Sequence, residues 1–326
     1  MRRPRALADP GRPGLYHVCS RVVDRRVIFG DRERRRFMAL IKGGAAFAGV
    51  EVVTWCLMGN HFHLLVRVPV VDAESFTDEE VFERMEHLYS PPRIRHFQGI
   101  WERMGNDAAR RGFLGPFRAR MGNLSDFVKT LKQRFTQWFN LRNNREGTLW
   151  EGRFHSVMLS HNETDDGQGL GVLARFVAGY IDLNPVRAKV VAGADQSDWS
   201  GYGSALRGDR EGLAGLRLLW GAQVTRELDD GTLLDLHAGM LERARFRDRE
   251  RADGGDTIAS SKRGRVASGL DMKEGASGVE GESSRKARSG GDERLEARLF
   301  PLMGVRCEDL TKGWALGGRW MASRSQ

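Results

Sequence analysis

The chain has 326 residues, more than one ordinary domain of ~100–200, so one large domain with additions or two domains are expected. With 52 Lys and Arg against 43 Asp and Glu, the formal charge of +9 favours a polyanionic partner such as nucleic acid. Cys19, Cys56 and Cys307 are far apart with no CxxC pairing, which implies neither a disulfide framework nor a thiolate zinc site and fits a reduced cytoplasm. No run of ~18 apolar residues exists, and the Arg-rich start lacks an apolar stretch, so neither a membrane span nor a secretory signal is expected.

In chain order, a basic arm over 1–13 precedes a strand from Leu15 to Val22 and a helix from Arg32 to Phe47, whose Phe37, Met38, Leu40 and Ile41 share one face. Glu51 to Met58 and His61 to Val68 are apolar strand patterns around the two-residue turn Gly59-Asn60, a hairpin. This β-α-β-β opening predicts a small antiparallel α+β sheet.

A helical insertion over about 70–122 follows, with the capping-box pattern Thr77 to Glu80 and a break at Pro91-Pro92. Leu124 to Arg142 repeats apolar residues every three or four positions, which predicts an amphipathic helix decorated by Lys129, Lys132, Arg134 and Arg142. Leu149 to Leu159 is a further candidate strand, and Leu170 to Val191 a helix up to Asn184-Pro185. A helical extension over 206–245 leads to a charged Gly/Ser-rich linker over 246–295, expected to stay disordered because it buries too little apolar surface, and to a short segment over 296–326.

Two patterns bear on chemistry. In His61-Phe62-His63 both imidazoles leave one sheet face while Phe62 enters the other, so the pair can offer a divalent metal two nitrogen ligands; by itself such a triplet is more often an ordinary polar face than a metal site. The remaining histidines show no comparable spacing and are expected at the surface or in the core. Tyr180 and Asn184 lie one helical turn apart on one face, with Pro185 placing Asn184 at a helix end or kink; taken alone, they also fit a buried tyrosine beside a helix stop. Lys129, Lys132, Arg134, Arg142, Arg145 and Arg153 can neutralise phosphates and Trp138, Phe139 or Trp150 can stack on bases, although Trp138 and Phe139 also fit the apolar stripe of their helix.

Met58-Gly59-Asn60-His61-Phe62-His63-Leu64-Leu65-Val66 and Tyr180-Ile181-Asp182-Leu183-Asn184-Pro185-Val186-Arg187 together resemble the REP-associated tyrosine transposases, single-tyrosine members of the HUH nuclease superfamily. Lys132 to Phe135 through Trp138 to Asn140, Gly147 to Phe154 and Trp199 to Tyr202 agree in order, so the likeness covers about residues 14–205. It implies a ferredoxin-like or RRM-like sheet in a catalytic domain over 14–205, His61 and His63 as metal ligands, Tyr180 as nucleophile and Asn184 as third ligand of Mg²⁺ or Mn²⁺. It further implies a single-stranded DNA endonuclease and transposase forming a 5′-phosphotyrosine on hairpin-containing DNA, nucleoid-associated, monomeric or homodimeric and not membrane-bound, with Arg153 the best matched phosphate contact. Gly59 stands where members often have Pro, and shorter members lack the insertion. Two other functions fit the same residues: a non-catalytic binder of structured nucleic acid, and a metal phosphodiesterase that activates water, with Tyr180 only structural.

Overall fold

The computed structural model describes residue 8, residues 11–159 and residues 170–263. Four strands, β1 (Gly14–Arg21), β2 (Glu51–Leu57), β3 (His61–Val68) and β4 (His155–Leu159), form one antiparallel sheet in the order β2-β3-β1-β4. Because β3 pairs between β1 and β2, the helix α1 (Asp31–Ala48) must cross over from β1 to β2. β1 likewise separates β3 from β4, and α5 (Leu124–Arg142) makes the second crossover. This is the antiparallel α+β sheet that the β-α-β-β opening predicts, in the ferredoxin-like strand order that the family resemblance implies.

Alternation along the strands decides which residues enter the core. Phe62, Leu64 and Val66 are fully buried under α1 and α5, with Phe62 4.9 Å from Phe37 of α1 and Phe37 5.0 Å from Phe135 of α5, ring centre to ring centre. Gly49, in the left-handed region at φ 67°, ends α1 and lets the chain turn directly into β2. Phe62→Ala is expected to cost roughly 3–5 kcal/mol, from lost transfer energy and the cavity left among these rings. A urea or thermal melt checks it, and a cost below about 1 kcal/mol would place the ring outside the core.

The insertion contributes α2 (Asp78–Glu86), α3 (Pro91–Glu102) and α4 (Asp107–Arg118). Thr77 and Glu80 form the reciprocal capping box, and Pro91-Pro92 opens α3, where a missing N–H costs no helical hydrogen bond. Val81, Met85, Ile94 and Leu114 join the same apolar cluster as Phe37 and Phe62, so the insertion enlarges the core. The segment from Leu149 begins later as a strand than its pattern predicts: Trp150 makes one isolated bridge to Val22, and regular pairing starts at His155.

After the sheet come α6 (Val172–Asp182), α7 (Asn184–Arg187), α8 (Gly201–Leu206), α9 (Arg210–Trp220), α10 (Ala222–Thr225) and α11 (Asp230–Arg263). The disordered linker expected from residue 246 differs from the structure over its first part, which continues α11. Glu, Arg and Ala between Leu241 and Ala252 are good helix formers even where apolar residues are few. Residues 264–326, with the rest of the linker and the short segment over 296–326, lie outside the described residues, as does most of the N-terminal arm. Two compact units divide at Arg249 and Glu250, and the described part of the second is helical. Among the described residues no helix is long and apolar enough to cross a membrane.

Candidate active site

The sheet face opposite Phe62 carries His61 and His63, their ring centres 5.1 Å apart and nearly perpendicular. The pairing sets Arg21 of β1 across from His61 and Cys19 across from His63, so His17, two residues before Cys19, emerges on the same face. His17 Nε2 lies 3.0 Å from His63 Nδ1, and the two rings stack at 5.2 Å. Burial holds the His17 imidazole down at about 4. Burial also holds His63 well below the usual histidine value, with His17, His61 and Arg21 adding to the effect. Both rings are therefore neutral at neutral pH and share one proton along their contact; with that proton on His63 Nδ1, its Nε2 carries the lone pair.

The tautomer of His61 follows from its neighbour. Asn60 Nδ2 donates to the Arg25 carbonyl oxygen at 3.0 Å, which turns Asn60 Oδ1 toward His61 Nδ1 at 2.7 Å. An amide oxygen only accepts, so His61 donates from Nδ1 and keeps its lone pair on Nε2.

Helix α6 packs on β2 and β3 and faces the histidines with Tyr180, whose ring stands edge-on to His63 at 5.9 Å and to His17 at 6.1 Å. It stops at Asp182, and Pro185 starts a new turn, so Asn184 sits at a helix start as its proline neighbour predicts. Asn184 Nδ2 comes within 3.5 Å of His63 Nε2, at the outer limit of a hydrogen bond; rotating the amide by half a turn would present its oxygen instead. Asp182, two residues after Tyr180, points the other way and is fully buried. It accepts from Thr54 Oγ1 at 2.8 Å and from the Tyr202 N–H at 3.3 Å, and pairs with His237 Nε2 at 3.1 Å. These bonds fix the rotation of α6 that turns Tyr180 and Asn184 to the sheet.

The side chains thus gathered are His61, His63, Tyr180 and Asn184, and His17 with them. Among the described residues no three His, Cys, Asp or Glu side chains converge as a metal-ligand set. Two imidazoles and one amide are a sparse donor set, unlike a closed structural zinc site and compatible with a hard cation that fills its other positions with water and phosphate oxygen. The Asn184 amide lies beside the free Nε2 of His63, so with its oxygen turned inward the two would be neighbouring donors.

The expected nucleic-acid contacts fall elsewhere. α5 covers the opposite sheet face, so Lys129, Lys132, Arg134 and Arg142 do not adjoin the histidines. Lys132 is buried, donates to the Gly152 carbonyl oxygen at 2.8 Å and lies 5.1 Å above the Trp150 ring. Arg134 donates to the Leu88 carbonyl oxygen at 2.7 Å and covers the Tyr89 ring. Both cations already bond carbonyl oxygens of the fold, a task their helical spacing does not announce. Lys129, Arg142 and Arg153 remain exposed. Trp150 is buried with its indole N–H on Thr136, and Trp138 and Phe139 pack against the core, so none is an open stacking platform of the kind considered from the sequence.

No protein-family model matches the sequence, and no curated protein matches it. Among solved structures, that of a REP-associated tyrosine transposase bound to a REP hairpin is similar with a TM-score of 0.38 and 16% sequence identity, over 64% of this chain and 86% of that one.

Proposed function

We propose that this chain is a metal-dependent single-stranded DNA endonuclease and strand transferase with Tyr180 as its nucleophile. The observation that carries the reading is the convergence of Tyr180 and Asn184, one turn apart, on His63 beside His61. The Tyr180 phenol gives up its proton as its oxygen attacks a backbone phosphorus; the new P–O bond replaces the bond to the 3′ oxygen, which leaves as a 3′-OH by taking up a proton, so no net proton is consumed. One phosphodiester is exchanged for another, so the strand can be rejoined without an external energy source. A bound Mg²⁺ or Mn²⁺, held by His61, His63 and Asn184, would draw negative charge from the scissile phosphate. His17 supports this assignment, because a ring bonded at Nδ1 is fixed in orientation and tautomer at Nε2.

Single-stranded or hairpin DNA is the proposed substrate. Incubating the protein with single strands from the flanks of its own gene and Mn²⁺, then running a denaturing gel, tests this directly. A covalent protein–DNA band is expected; cleavage without one would favour water activation, and binding without cleavage a non-catalytic binder.

Asn184→Ala is expected to raise the Mn²⁺ midpoint of cleavage by roughly tenfold while strand affinity stays within about twofold, with high Mn²⁺ restoring part of the rate by mass action. Coincident Mn²⁺ titrations of the two proteins would remove Asn184 from the ligand set and leave it a helix start before Pro185.

A further inference from the structure

The segment that carries Asn184 ends in Arg187, to which the function above gives no task. Each of its three nitrogens donates: Nε and Nη2 to Asp248 Oδ2 at 3.0 and 2.9 Å, and Nη1 to the Tyr180 carbonyl oxygen at 3.1 Å. The same guanidinium lies 5.2 Å from the centre of the Tyr180 ring. Asp248 belongs to α11, and this helix also grips α6 at two other levels. His237 pairs with the buried Asp182, and Gly179 lies so close to α11 that a Cβ there would stand 3.3 Å from Met240 Cε.

We infer that Asp248, acting through Arg187, is a positioning residue for Tyr180, so that α11 is a working part of the reaction centre. The inference rests on Tyr180 being the nucleophile. A tyrosine ring turns on two side-chain torsions, and this one is bounded by His63 and His17 on one side and by a planar cation on another. An arginine side chain has many rotamers; the carboxylate of Asp248 selects the one that keeps the guanidinium against the ring. Without it the phenol samples more directions, and small misplacements of an attacking atom cost rate steeply. The Arg187 and Asp248 side chains are 16% and 25% exposed, so water replaces the missing carboxylate only in part.

The test uses full-length protein labelled with 3-fluorotyrosine. With only four tyrosines in the chain, Tyr180→Phe assigns the relevant fluorine resonance. Asp248→Ala is expected to slow adduct formation about tenfold at saturating single strand, with an unchanged half-saturating DNA concentration, and to move the Tyr180 resonance while those of Tyr16, Tyr89 and Tyr202 stay in place. Asp248→Glu should restore most of the rate. An unmoved Tyr180 resonance, an unchanged rate, or displacement of all four resonances with a lowered melting temperature would each overturn the inference. If wild type forms no adduct yet Asp248→Ala moves the Tyr180 resonance alone, the nuclease function falls and the positioning of the ring by Asp248 stands.

Discussion

Replacing Tyr180 by Phe is expected to bring the covalent adduct down to background while leaving single-strand affinity within about twofold of wild type. The substitution removes one oxygen. The ring keeps its edge-on contacts with His63 and His17 and its place under the Arg187 guanidinium, so the fold and the basic surface stay as they are. Gel shift for affinity and a denaturing gel for the adduct separate the two quantities. An adduct of undiminished yield would transfer the attack to another residue and end the assignment of α6 as the nucleophile helix.

The other large effect is expected at His63. His63→Ala should lower cleavage by more than about a hundredfold, because the ring joins His17 on one side to Asn184 on the other. Its removal also empties a buried position, so a loss of activity in that variant alone would be ambiguous. His63→Gln keeps most of the volume and a polar end, and should melt close to wild type while staying inactive. His61 is less buried, and His61→Ala should lose cleavage with little change in melting. If instead both histidine variants cleave normally while Phe62→Ala is thermally silent, the two faces of β3 have been assigned the wrong way round.

The hairpin was legible because two apolar runs flank the turn residues Gly59-Asn60, and α5 because its apolar spacing runs unbroken from Leu124 to Phe139. Tyr180 and Asn184 were legible as partners for a local reason, since one helical turn is a property of four consecutive residues. His17 was not. It is 46 residues from the ring it touches, and only the insertion of β1 between β3 and β4 makes them neighbours. The alternation of Tyr16, Val18 and Ser20 against His17 and Cys19 was the one available signal, and it assigns a face without naming what lies across it. The structural bonds of Lys132 and Arg134 were illegible for a related reason. A basic residue on a helix looks the same in sequence whether its nitrogen ends in water or on a carbonyl, and the carbonyls of Gly152 and Leu88 arrive from loops whose paths are tertiary outcomes.

The corner that precedes His61 is bound on several sides. Gly59 O accepts from the N–H groups of Ile28 and Phe29, Asn60 O accepts from that of Val22, and the Asn60 side chain bridges Arg25 to the imidazole. A histidine on a loose turn would lose rotational and backbone entropy whenever it took hold of an ion or a phosphate. Here that loss is incurred during folding, with the lone pair already on Nε2. In the proposed ligand role of His61, association at this corner would be governed by bond formation and the release of water, without the large negative heat-capacity change of a segment that folds onto its ligand.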